Sequence, residues 1–174
     1  MEGVHHRHLV KEARENIRRE ITQNIEVAKK DEVSVQDDAD NMKVNIEKAR
    51  LLRDKPNDFK QNKMHFNFSW DSFNDSAWRA ARDSGALTFM PTAEVQLYAD
   101  SYNQQDIVNQ QAVAIFSSQT DGAAPLFMEK DPKEMHSEDS RALMHDSALS
   151  YIRLHTLKQL IEGLDKNYAD TLKK

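Results

Sequence analysis

The chain has 174 residues, of which 39% are apolar and 30% charged, with four Gly, four Pro and no Cys. That length suits one domain, or one domain with a long helical extension, and the lack of cysteine excludes disulfides, thiolate metal sites and a cysteine nucleophile. The net charge of −5 divides into zero over residues 1–60, −4 over 61–130 and −1 over 131–174, so the basic footprint of a nucleic-acid binder is absent.

From Val4 to Lys55 there is neither Pro nor Gly. Ile21, Ala28, Val35, Met42 and Ala49 recur every seven residues, and Ile25, Ala39 and Ile46 fall on the adjoining position, which Glu32 interrupts. Val10 and Ile17 share the spacing in a shifted register. The pattern predicts one very long helix with a seam of coiled-coil type. It should end near Asp54, because Pro56 disfavours helix at the residue before it. The acidic, β-branched stretch 31–38 is the alternative, a break that would make a hairpin. Pairs such as Glu15 with Arg19 read as solvated helix surface.

Residues 56–69 form a connector, in which His65-Phe66-Asn67-Phe68 alternates over too few positions for a strand. The window from Phe59 to Tyr102 holds nine of the thirteen aromatic residues and is expected to supply the densest core. Within it a second helix should run from Asp71 or Asn74 to Ser84, with Gly85 in the left-handed C′ position that ends it. Pro91 fits the first turn of a third helix. That helix is expected over Thr92–Ser118 with Val95, Tyr98, Tyr102, Val113 and Phe116 inward, closed by Asp121, Gly122 and Pro125. Leu126, Phe127 and Met128 then lie in a tucked loop. Asp131-Pro132-Lys133-Glu134 reads as a capping box. The last helix begins there or at Ser137 and runs to Leu172, striped by Leu154, Leu157, Ile161, Leu164 and Tyr168. No stretch is apolar enough for a transmembrane helix, and Glu2, His5, His6 and Arg7 break any signal-peptide core.

Two segments carry a resemblance. His5-His6-Arg7-His8-Leu9-Val10-Lys11-Glu12-Ala13-Arg14 and Trp78-Arg79-Ala80-Ala81-Arg82-Asp83-Ser84-Gly85-Ala86-Leu87 together resemble a group of uncharacterised bacterial proteins. In that group a single membrane span runs directly into a His/Arg-rich helix. The resemblance implies a membrane anchor preceding Met1, in a span that this chain lacks, and an extracytoplasmic, periplasmic location. Arg7, Lys11, Arg14, Arg18 and Arg19 would follow the span, and by the positive-inside tendency they lean cytoplasmic instead. No catalytic residue or cofactor comes with the group.

Candidate sites are few. Glu2-x-x-His5 has the spacing of a di-iron half-site, but the motif occurs once, where two copies and further carboxylates are needed, so no metal site is expected. The amides Asn103, Gln104, Gln105, Asn109, Gln110 and Gln111 read as solvated helix surface. Trp70, Trp78, Tyr98 and Tyr102 are the candidate lining of a ligand-binding pocket, weighed against aromatic core. Nothing marks an enzyme, and no cofactor is implied.

The expected architecture is all-α: an elongated helical bundle with two long antiparallel helices, N- and C-terminal, and a shorter central helical pair. Residues 1–55 form the coiled-coil-like helix and 56–174 the bundle core. The expected role is that of a structural or interaction module of a membrane-anchored protein, with a small-ligand or peptide sensor as the alternative. A homodimer through the first helix is expected to cover its seam, with no nucleic-acid partner, and residues 1–20 are expected to be dispensable for folding.

Overall fold

The computed structural model describes residues 2–58, 64–128, 135 and 137–173. Four α-helices account for most of them: α1 (Glu2–Asp54), α2 (Ser76–Asp83), α3 (Thr92–Met128) and α4 (Ser137–Lys173). Two 3₁₀ turns cover Pro56–Asp58 and Ala86–Phe89, and no strand occurs among the described residues. The protein is an all-α helical bundle in which α1 packs along α4. α1 passes through residues 31–38 without a break and stops at Asp54, as its uninterrupted seam and Pro56 require.

The chain forms two compact units, and neither consists of α1 alone. Unit one comprises Met1–Asp31, Asp71–Asn109 and Leu160–Lys174; unit two comprises Glu32–Trp70 and Gln110–Gln159. In unit one α3 runs parallel to α1, since Arg14 meets Glu94, Glu20 meets Tyr102 and Asn24 meets Gln105. α4 runs antiparallel to both, with Thr171 and Asn167 against Ser101, and Leu172 against Arg18. In unit two α4 is again antiparallel to α1: Glu32 pairs with Lys158, Lys43 lies over the Tyr151 ring, and Arg53 reaches Met144.

The core is aliphatic and heptad-spaced. Ile17, Ile21, Leu164 and Tyr168 are fully buried in unit one, and Val35, Met42, Ile115, Leu154 and Leu157 are at most 1% exposed in unit two. The seam Ile21, Ala28, Val35, Met42, Ala49 is covered completely within a single chain, which removes the reason for placing a dimer partner on it. The aromatic window is not the densest core. Phe73, Tyr98 and Tyr102 are buried, whereas Phe66, Phe68, Trp70 and Trp78 are half-buried and Phe89 is 48% exposed; Phe59 lies outside the described residues.

Further expectations are corrected. α2 begins only at Ser76, because the residues before it are held in non-helical form by α1. α3 continues to Met128 through Asp121, Gly122 and Pro125, and it starts at Thr92 with Pro91 just ahead of it. The Pro91 carbonyl accepts the N–H groups of Glu94 and Val95, which makes Pro91 the residue before the first turn. Val113 and Phe116 point outward, 65% and 58% exposed, because α3's buried positions are Ala112, Ile115 and Gln119. Val10, Ala13, Ile17 and Glu20 are buried, so the stretch from Val10 to Glu20 contributes to the core of unit one. α4 starts at Ser137, and the capping box at 131–134 lies outside the described residues. Gly85 adopts φ 75°, ψ 8°, the left-handed conformation expected where α2 ends.

Candidate functional site

The register of Val10 and Ile17 continues along α1 as Asn24, Asp31, Asp38, Asn45 and Leu52, every one of them buried. Four polar side chains on a helix interior need partners, because an unpaired buried polar group costs about 1–3 kcal/mol. The partner is the backbone of residues 64–75, a strap with no regular secondary structure whose own N–H and C=O groups also need bonds.

In unit one Asn24 acts as a peptide mimic. Its Nδ2 donates to the Asn74 carbonyl at 2.7 Å, and its Oδ1 accepts the Asn74 N–H at 3.0 Å. Seven residues further along, Asp31 Oδ1 accepts the Asp71 N–H at 3.2 Å. The spacing fits: seven helical residues rise roughly 10.5 Å and three extended residues span roughly 10 Å. Unit two repeats the device. Asn45 exchanges two hydrogen bonds with His65, 2.6 Å to its carbonyl and 2.9 Å from its N–H. The Asp38 carboxylate accepts a backbone hydrogen bond from Ser69. The strap's side chains at 64–70 alternate between half-buried and exposed, and Met64 and Phe66 pack on Ala49, Leu52 and Leu143.

The network deepens in unit one. Gln105 Oε1 accepts from both Asn24 and the Tyr168 hydroxyl, and Gln105 Nε2 donates to the Asn74 carbonyl at 3.2 Å. The expectation of a solvated amide face therefore fails at Gln105, which is 1% exposed. Glu20 accepts the Tyr102 hydroxyl at 2.7 Å, the Ser76 hydroxyl at 2.9 Å and the Ala77 N–H at 2.8 Å. The carboxylate thereby caps α2 from another helix, since Asp75 at its N-cap makes no side-chain cap bond. Burial drives the Tyr102 and Tyr168 phenols above their ordinary range, with Glu20 adding to it at Tyr102, so both remain donors.

The two aspartates of the seam differ from the asparagines. Asp31 and Asp38 are 2% and 6% exposed, and in each the Oδ2 atom is buried without a hydrogen bond. Burial pushes both carboxyls up to about 6, outweighing the backbone N–H that each accepts. Sequence reasoning passed over this line of residues because it sought apolar heptads. The signal was the same spacing carried by amides and acids.

The four aromatic candidates separate. Trp78 stacks on Tyr102 at 5.3 Å between ring centroids, with planes 11° apart, and Tyr98 lines a cavity on the same unit. Trp70 belongs to unit two and stacks on Phe68 at 6.3 Å. The cavity beside Tyr98 has a volume of about 430 Å³ and is lined by Arg14, Arg18, Pro91, Leu97 and Thr171 among others. Its polar groups are engaged: Arg14 forms a bidentate pair with Glu94, both bonds 2.6 Å, and Arg18 donates to the Leu172 carbonyl. Among the described residues no three His, Asp or Glu are placed to hold a metal ion, and no helix is long and apolar enough to cross a membrane. Compared with known protein families, curated proteins and solved structures, the chain matches none.

Proposed function

We propose that the protein is a helical interaction module that works by association with a second copy of itself, as the soluble part of a membrane-anchored bacterial protein. One observation carries the association. Of the eight large apolar side chains exposed among the described residues, six lie on unit two: Val33, Val44, Val113, Phe116, Leu149 and Ile152. Val113 and Phe116, three residues apart on α3, share one helix face, and burying such side chains against a second copy returns roughly 1.5–3 kcal/mol each. The anchor and the bacterial setting rest on the resemblance alone. Sedimentation equilibrium of the wild type beside a Val113→Lys, Phe116→Lys variant tests the association. A concentration-dependent dimer that the variant loses supports it, and a wild type that stays monomeric at high concentration removes it. The variant should keep its helix content, because both side chains are already in solvent.

A small-ligand sensor is the second reading, favoured by the cavity beside Tyr98, whose volume lies in the range of small-molecule sites. Ligand density there in crystals soaked with a fragment library would support it, and an empty cavity across the library would count against it.

A further inference from the structure

The strap is held to α1 by two kinds of side chain. Asn24 and Asn45 each satisfy one N–H and one C=O of the strap, a pairing that no pH change alters. Asp31 and Asp38 each accept one backbone N–H and bury a second oxygen that finds no donor. A protonated carboxyl in that place is neutral and can donate through its second oxygen, as the asparagine Nδ2 does. An ionised one leaves a charge in an interior with little to answer it.

The charged groups around each are few. Asp31 faces the Asp71 carboxylate of the strap and has Lys30 beside it, and those two pair with each other. Asp38 has Asp37 beside it and Ser69 of the strap opposite. Among the described residues no buried position on α3 or α4 carries a charged side chain, and Lys158 of α4, partly exposed, pairs with Glu32. The helices are locked by aliphatic burial, whereas the strap beside Asp31 and Asp38 is held by a few polar bonds. These are the two aspartate acceptors together with the exposed Lys30–Asp71 pair and a 3.4 Å bond from the Ser34 hydroxyl to the Ser69 carbonyl, so opening there is the cheapest route for water to reach an ionised carboxylate.

We propose that Asp31 and Asp38 are proton-operated latches, one in each unit, that hold the strap at Asp71 and Ser69 while protonated and release it when ionised, with Asn74 and His65 remaining clamped. Nothing in this depends on self-association.

Trp70 lies between the two latch points in sequence and can report on them. In the full chain carrying Trp78→Phe, Trp70 is the one tryptophan, and acrylamide quenching is followed from pH 4.5 to 8. The expected result is at least a twofold rise in the quenching constant with a midpoint near pH 6, at unchanged helix content by circular dichroism. Asp31→Asn, Asp38→Asn in the same background should flatten the curve at its low-pH value. His65, on the strap and exposed, is kept in the double variant, so a pH dependence that survives there overturns the proposal. So does wild-type quenching that is level across the range. If the double variant fails to fold, carbon-detected NMR titration of the wild-type carboxyls decides: Asp31 and Asp38 titrating near 4 overturn it, and midpoints near 6 together with the quenching rise uphold it.

Discussion

Single residues here carry unusual shares of the structure, and Glu20 carries the largest. It is 4% exposed and answers donors from α2 and α3 at once. Glu20→Ala would strand the Tyr102 hydroxyl and the Ala77 N–H, and it would leave α2 without its cap. We expect a loss on the order of 2–4 kcal/mol in denaturant unfolding. Glu20→Gln should cost less, since it keeps an acceptor for part of the set; equal losses would mean that packing, and not the bonds, sets the cost. Gly85 acts through backbone conformation alone. A Cβ there would meet nothing within 4 Å, but φ 75° is a region that β-branched residues avoid. Gly85→Val should therefore cost about 1–2 kcal/mol, and Gly85→Asn clearly less. Of these two residues only Gly85 could be read from the sequence, because a glycine stop is a local signal. Glu20 looks like one more surface acid until the fold brings Ser76 and Tyr102 to it.

At the scale of elements, legibility follows the period of the pattern. α1 and α4 were readable because their apolar residues repeat at heptad spacing with no Pro and with glycine only at Gly3 and Gly163. The end of α3 was not. Gly122 and Pro125 are local breakers, yet the helix carries on to Met128. The outward turn of Val113 and Phe116 was missed for a related reason: the inward register of α3 is set by small and polar residues, Ala112 and Gln119, which hydrophobicity does not flag. The strap was legible only as a connector, since its order comes from Asn24, Asp31, Asp38 and Asn45 on another element. Asn45→Ala removes both bonds to His65 and should cost roughly 2–3 kcal/mol if the strap stays docked. Hydrogen exchange offers a check, with faster exchange at the His65 amide and little change along α1. Slowed or unaltered exchange at His65 would show that Met64 and Phe66 hold this end of the strap without Asn45.

Two consequences belong to the whole molecule. The first is the pH dependence of stability. Asp31 and Asp38 titrate near 6 when folded and near 4 when unfolded, so the folded state binds more protons between those values. Their stabilising share is complete below about pH 4 and is lost as pH rises through about 6. Glu94 works in the opposite sense: its pair with Arg14 holds its carboxyl low, and that share is lost in acid. Stability should peak near pH 4–5 and fall by on the order of 1–2 kcal/mol per aspartate toward pH 8, a drop of a few degrees in Tm. The Asp31→Asn, Asp38→Asn variant should lose most of that slope, and a wild type more stable at pH 8 than at pH 5 would contradict the assignment.

The second consequence concerns the first twenty residues, which the aromatic window had made look expendable. Val10, Ala13 and Ile17 occupy buried positions of unit one, Arg14 pairs with Glu94, and Glu20 caps α2. Burial of Val10 and Ile17 alone is worth roughly 3–6 kcal/mol, and loss of Glu20 adds to it. A domain has only about 5–15 kcal/mol in all, so deletion of residues 1–20 should take most of the stability of unit one. Unit two draws none of its residues from that stretch. We expect unit one of the truncated chain to unfold, with exchange protection collapsing at 92–109 and 160–173 and persisting at 35–52 and 140–157. If protection falls equally everywhere, the two units fold as one and the deletion unfolds both. If it falls nowhere, the N-terminal turns of α1 contribute contacts without contributing stability.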